Sequence, residues 1–225
     1  MKRREFLRHS GQLLIAGALA NRLGDCRLGL AAEARSVKSS RTPASGPLRV
    51  HPDNRRYFTD GSGKAVYLTG AHTWSNLSDM GSDDPPPKFD FGAYLDFLDR
   101  LNHNFIRLWT WESTQWQPGR WRPGATHTVA PHPFARTGPG NASDGKPKFD
   151  LTKYDRDYFD RLRQRVSAAG HRGIYVSVML FEGWGVQFAG RAWETHPFHP
   201  KNNVNWIDGD ANGDGKGLDI HTLTN

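Results

Sequence analysis

A single cysteine, Cys26, in 225 residues leaves no partner for an intrachain disulfide and excludes a thiolate metal cluster. No apolar run approaches the roughly 20 residues that a membrane-spanning helix requires, so no membrane span is expected. A one-signed charge surplus is also largely missing once the N-terminus is set aside. The formal net charge is +7, but residues 1–34 hold six Lys/Arg against three Asp/Glu, which leaves 24 against 20 beyond them. Those basic residues alternate with acids, as in Asp155-Arg156-Asp157 and Asp160-Arg161, the pattern of a solvated mixed surface. A nucleic-acid partner is therefore not expected. What remains is a globular composition, 36% apolar and 12% aromatic.

The N-terminus reads as an export address. Residues 2–8, Lys-Arg-Arg-Glu-Phe-Leu-Arg, follow the twin-arginine pattern, and a short Gly/Ala-rich apolar stretch runs from Gly11 to Ala20. Small-x-small cleavage sites occur at Ala18-Leu19-Ala20 and Ala32-Glu33-Ala34. The expectation is a leader over 1–34, export by the twin-arginine route, and a periplasmic or extracellular product. Residues 35–47 have the Ser/Pro/basic composition of a flexible linker.

Along the body, β-type runs at Leu48–His51 and Tyr57–Thr59 flank the Pro52-Asp53-Asn54 turn and predict a hairpin. Ala65–Gly70 reads as an apolar strand. Phe91, Tyr94, Leu95, Leu98 and Leu101 share one face of a 3.6-residue period, predicting a helix. Phe105–Trp109 reads as a second strand. Residues 113–149 form a Gly/Pro/His-rich insertion without periodicity. A second helix is expected from an Asp155 N-cap, carrying Phe159, Leu162 and Val166 and stopping at Gly170. Ile174–Leu180 is a third strand, and the rest reads as loop. Near-continuously apolar strands alternating with helices argue for a parallel α/β sheet.

The chemistry collects just beyond the expected strand ends. His72, Trp74 and Asn76 follow the first, Arg107, Trp109, Trp111 and Glu112 the second, and Glu182 and Trp184 the third. Strand C-termini are where (β/α) barrels build their sites. Indole faces stack on the apolar face of a pyranose while charged groups take its hydroxyls, so these residues are candidate polysaccharide or oligosaccharide contacts.

Three blocks then resemble a known group. Leu68-Thr-Gly-Ala-His72-Thr-Trp74-Ser-Asn76, Asn104-Phe-Ile-Arg107-Leu-Trp-Thr-Trp-Glu112 and Tyr175-Val-Ser-Val-Met-Leu-Phe-Glu182-Gly-Trp184 look like the cellulase-like, apiosidase-like TIM barrels of the retaining glycoside-hydrolase clan. The resemblance runs from about Leu48 onward. It implies a (β/α)₈ barrel acting on plant- or algal-type polysaccharide or its side chains. This chain would supply about three βα units, preceded by the hairpin, over 48–225. It also implies that Arg107 steadies a nucleophile. That clan places its acid/base Glu after an Asn at the fourth strand end and its nucleophile Glu at the seventh, and both are expected beyond Asn225. The expectation is thus a truncated chain without the usual catalytic pair, with Glu112 and Glu182 open to promotion into the two roles. The clan's C-terminal β-sandwich is not visible.

Residues 208–219 carry a second motif. Asp208, Asp210, Asn212 and Asp214 occupy positions 1, 3, 5 and 7 of an EF-hand-type loop, with Gly213 at position 6 and Asp219 at position 12. A structural calcium ion is the cofactor this suggests, and no other cofactor is required. His196 and His199, each beside a proline, do not make a zinc pair. Three functions follow: a glycoside hydrolase, a non-catalytic carbohydrate-binding remnant, or a calcium-stabilised extracellular interaction protein.

Overall fold

The structure, a computed structural model, describes residues 41–221. The expected leader and the first part of the expected linker lie outside the described residues. All described residues belong to one unit, Val37–Asn225.

The chain begins with an antiparallel meander of β1 (Arg49–Val50), β2 (Phe58–Thr59) and β3 (Ala65–Val66). β4 (Asp79–Gly81) precedes helix α1 (Phe91–Arg100), which leads into β5 (Phe105–Leu108). β6 (Gln115–Trp116), β7 (His127–Ala130), β8 (Phe134–Asn141) and β9 (Pro147–Tyr154) come next. Helix α2 (Arg156–His171), β10 (Tyr175–Val178) and the short α3 (Trp184–Phe188) complete the regular elements, with single 3₁₀ turns at Gly119–Trp121 and Leu218–His221.

The barrel expectation is overturned by the strand pairing. The described residues form four small sheets, and three of them are antiparallel: β1-β2-β3, β4-β7-β6 and β8-β9. Only β5 and β10 run parallel, with Phe105 opposite Tyr175 and Leu108 opposite Val178. A barrel needs successive parallel strands joined by helices. Here the segment expected to be the first of them turns the other way. β3 keeps just two residues and pairs with β2. Beside β5, the following residues are held by a side chain: Asn104 accepts from the Thr69 amide at 2.9 Å and donates to the Tyr67 carbonyl at 2.9 Å. The described residues are β-rich, with few helices. The hairpin at the start is present, as expected, with a third strand added.

The two longer helices follow their caps. Asp90 accepts from the Ala93 amide at 2.8 Å, and Asp155 from the Asp157 and Tyr158 amides at 2.9 and 3.2 Å. α2 runs past Gly170; its C-terminal glycine is Gly173, at φ +69°. Its inward face is Tyr158, Arg165 and Ala169 with Leu162 alongside, whereas the expected Phe159 and Val166 are exposed. Arg165 and Arg161 reach Asp79 at 3.7 and 2.9 Å, which pairs an otherwise costly buried guanidinium.

One core forms where α1 and α2 meet β5: Leu77, Leu95, Leu98, Ile106, Leu108, Tyr158, Ala169 and Ile174. A second is built largely of indoles and holds Trp111, Trp116, Val129 and Ala192, with Met80, Trp109 and Trp184 against it. No described helix is long and apolar enough to cross a membrane.

Candidate functional site

The end of β5 feeds straight into the second core. Leu108 is buried in the first core, and the next residues, Trp109, Trp111 and Glu112, fan out beyond it. Asn76, fully buried, fixes that exit: its carboxamide donates to the Arg107 carbonyl at 2.6 Å and accepts from the Trp109 amide at 2.9 Å. Asn76 is thus a strut for the β5 exit, where the sequence suggested a sugar contact.

The candidate tryptophans do converge. Trp74 lies 6.2 Å from Trp109, 6.2 Å from Trp111 and 5.4 Å from Trp184, centroid to centroid. Their accessibility separates their roles. Trp111 is fully buried, stacked on Trp116 at 5.2 Å, and its indole N–H donates to the Trp74 carbonyl at 2.9 Å. Trp111 supports the platform and cannot itself meet a sugar. Trp74 keeps 42% of its surface exposed and Trp121 keeps 60%, with Trp121 stacked on Trp184 at 6.0 Å. Trp109 and Trp184 are half-buried between them. Trp116 and Trp121 lay in the stretch without periodicity, and only the richness of that stretch in tryptophan could have drawn attention to them.

His72 sits 5.0 Å from Trp109, its proton affinity lowered by burial and then by the Arg107 charge. Arg107 is exposed on β5. Among the described residues its hydrogen bonds and ion pairs involve neither Glu112 nor Glu182.

Those two glutamates are brought together from β5 and β10. The Glu182 amide donates to Glu112 Oε2 at 2.8 Å. Glu182 Oε1 in turn accepts from the Gly185 amide at 2.5 Å, at the start of α3. Glu182 is 3% exposed and the Glu112 side chain 11%. Burial pushes the Glu112 carboxyl up to about 7, against the single opposing hydrogen bond from Glu182. Burial, with a smaller contribution from the neighbouring Glu112 charge, lifts Glu182 to about 7.

Two histidines missed at the sequence level complete the surroundings. His221 Nε2 lies 2.9 Å from Glu112 Oε2, and His196 Nε2 lies 3.9 Å from Glu112 Oε1. His196 comes from a loop held by two buried carboxamides. Asn202 donates to the Glu194 and His196 carbonyls, and Asn203 to those of Pro197, His199 and Ile207. Nothing local in the sequence marks this role; it comes from packing.

The 208–219 segment turns its acids onto itself. Asp208 accepts from the Asp210 amide, Asp210 from Gly215, Asn212 from Asp214, Asp214 from Lys216, and Asp219 from Asn212. Gly213 has the left-handed φ of +70° expected at position 6. Among the described residues, no three His, Cys, Asp or Glu side chains form a group placed to hold a metal ion.

A family profile described as a domain of unknown function, DUF6298, matches residues 102–210. That stretch runs from just before β5 through the Asn202–Asn203 loop, so it takes in Glu112, Glu182, His196 and most of the tryptophans but leaves out Trp74 and His221. No curated protein and no solved structure matches the chain.

Proposed function

We propose that this protein acts on carbohydrate as a glycoside hydrolase, with the sugar held on Trp74, Trp109, Trp121 and Trp184 and the chemistry supplied by Glu112 and Glu182. The observation that carries the reading is the carboxyl pair: two buried glutamates from different strands, joined through a main-chain hydrogen bond, both with proton affinity near neutrality and both beside a partly exposed indole platform. Glycoside hydrolysis needs one carboxylic acid and one carboxylate at the same site. A pair lifted to about 7 holds a proton and a charge together at neutral pH.

Glu112, the more accessible of the two, is the proton donor. As the glycosidic C–O bond breaks, the leaving oxygen takes its proton, and water adds to the anomeric carbon and gives its proton to the Glu182 carboxylate. His221, whose proton affinity burial lowers, lies within hydrogen-bond distance of Glu112 and is 23% exposed, so it offers the route by which Glu112 regains a proton from solvent. The three sequence blocks quoted above, with their likeness to cellulase-like and apiosidase-like enzymes, support plant- or algal-type polysaccharide or its side chains as substrate. The twin-arginine pattern supports export. The barrel is no part of this reading, which rests on the site residues.

A second reading is favoured by one feature. Glu182 is almost wholly buried and spends one oxygen on the Gly185 amide, as a purely structural glutamate would. On that reading the platform binds sugar without cleaving it. Titration of tryptophan fluorescence with oligosaccharides from plant and algal walls tests the shared part of both. Saturable quenching is expected, with affinity about tenfold weaker in Trp74→Ala, and no quenching by any member of the panel would remove both readings.

A further inference from the structure

Beside Glu112 lies a cavity of about 300 Å³ whose lining includes no tryptophan. That size is at the lower end of small-ligand pockets. Its walls are aromatic and aliphatic, with Phe134, Tyr154, Tyr158, Phe181 and Phe198 among them. The polar groups are few and gathered together. The Thr110 and Tyr158 hydroxyls satisfy each other at 2.8 Å. Tyr154 is 72% exposed, which leaves the Glu112 carboxyl and His196 as the buried polar side chains without a mutual partner.

His196 is 1% exposed, and its Nε2 has no hydrogen-bond partner. Its other nitrogen, Nδ1, accepts from the Phe198 amide at 3.1 Å. Burial lowers its proton affinity to about 3, so the ring is neutral. A neutral ring that accepts at Nδ1 carries its hydrogen at Nε2. The cavity therefore contains a buried N–H donor without an acceptor, 3.9 Å from Glu112 Oε1, which is too far to serve as one. Leaving a buried donor unpaired is costly, and a ligand oxygen would recover that cost.

We propose that this cavity binds the aromatic leaving group of an aryl glycoside, its ring among Phe134, Tyr158 and Phe181 and its phenolic oxygen accepting from His196 Nε2–H beside Glu112. The inference rests on the glycosidase reading and names its substrate class. A pyranose does not fit these walls, because its hydroxyls would be desolvated all round with partners at one end only. A flat ring with one oxygen matches an apolar chamber with one polar corner. In the reaction the aryl C–O–sugar link breaks on the sugar side. The oxygen takes the Glu112 proton and leaves as a phenol, still hydrogen-bonded to His196, while water supplies the hydroxyl to the anomeric carbon and passes its remaining proton to the Glu182 carboxylate.

The test is isothermal titration of the full chain with phenol alone and with cyclohexanol, a non-planar alcohol of similar size. Saturable phenol binding is expected, at least tenfold tighter than that of cyclohexanol and at least fivefold weaker in His196→Gln. Because a buried histidine variant can fail to fold, Phe181→Ser provides the second arm: Phe181 is 66% exposed at the cavity mouth, and its loss is expected to weaken phenol several-fold. Equal affinity for the two alcohols, no saturable phenol binding, or binding unchanged in Phe181→Ser would overturn the proposal. Sugar quenching of tryptophan fluorescence, read on the same preparation, separates the two levels. Quenching without phenol binding removes this inference alone. Phenol binding without quenching removes the glycosidase reading and, with it, the ring's assignment as a leaving group.

Discussion

The main-chain amide of Glu182 donates to the carboxylate of Glu112 at 2.8 Å, across 70 residues of chain. That bond ties the loop after β10 to the loop after β5, whose strands pair in parallel. It sets the two carboxyls in one buried setting, where each resists ionisation. The Glu112 charge raises Glu182 further, and the same packing leaves the indole platform next to them.

The two kinds of tryptophan should separate cleanly on mutation. Trp111→Ala empties a fully buried site stacked on Trp116 and is expected to cost about 3–5 kcal/mol of stability by urea unfolding. Trp74→Ala removes a ring that is 42% exposed and should cost about 1 kcal/mol, while weakening oligosaccharide affinity about tenfold. A Trp74→Ala protein that binds sugar as tightly as the parent would remove Trp74 from the platform.

Stability should pass through a maximum in mildly acid solution. Glu112 and Glu182 are raised on folding to about 7, so the folded state binds their protons more tightly than the unfolded chain does. Their stabilising effect is complete below about pH 4.5 and is lost as pH rises through 7. His196 and His132 are lowered by burial to about 3 and about 4, and their contribution is present above about pH 6.5 and lost as pH falls. Thermal melting across pH 3–9 should therefore show a falling limb on each side. The double variant Glu112→Gln/Glu182→Gln should flatten the limb above about pH 6.5, and a limb unchanged by it would contradict the assigned proton affinities.

Asn203 should matter more than any charge near it. Its buried carboxamide bonds three main-chain carbonyls and accepts from the Ile207 amide at 2.9 Å. Asn203→Ala is expected to cost about 2–3 kcal/mol, because the carbonyls it serves are left without their donor. Asn203→Asp should be at least as damaging, since a carboxylate cannot donate to them. Chemical denaturation checks both, and a loss below about 0.5 kcal/mol would deny the loop its anchor.

Gly70 marks a close approach that tolerates no side chain. A Cβ there would stand 2.0 Å from the Phe105 carbonyl oxygen, a main-chain atom that cannot swing aside. Gly70→Ala is expected to destabilise by about 2–3 kcal/mol. The melting temperature reads this, and an unchanged value would contradict the contact.

Much of the local structure was legible in the sequence because local rules decide it. Asp155 begins its helix as the expected N-cap residue, the Phe91-Tyr94-Leu95-Leu98 face forms the other helix, and Phe105–Leu108 forms a strand as its apolar run suggests. The topology was not legible. An apolar run such as Ala65–Gly70 states that it is buried or paired, not with what, and here it pairs antiparallel with β2. β8 and β9 were hidden because their register is interrupted twice, which erases the alternation that marks a hairpin. Glu112, Glu182, Trp74, Trp109, Trp111 and Trp184 stood out by residue type and by their place after expected strands, whereas Trp116 and Trp121 did not. His196 and His221 reach the same carboxyl from loops 70 or more residues downstream, and no spacing announces that.

The most direct test is reducing-end release from a panel of plant and algal polysaccharides and aryl glycosides, comparing the parent chain with Glu112→Gln. The account predicts release by the parent with a bell-shaped pH dependence centred near neutrality, and a fall of about 10²–10⁴-fold in the variant. Sugar binding without release in the parent, or release undiminished in Glu112→Gln, would contradict it.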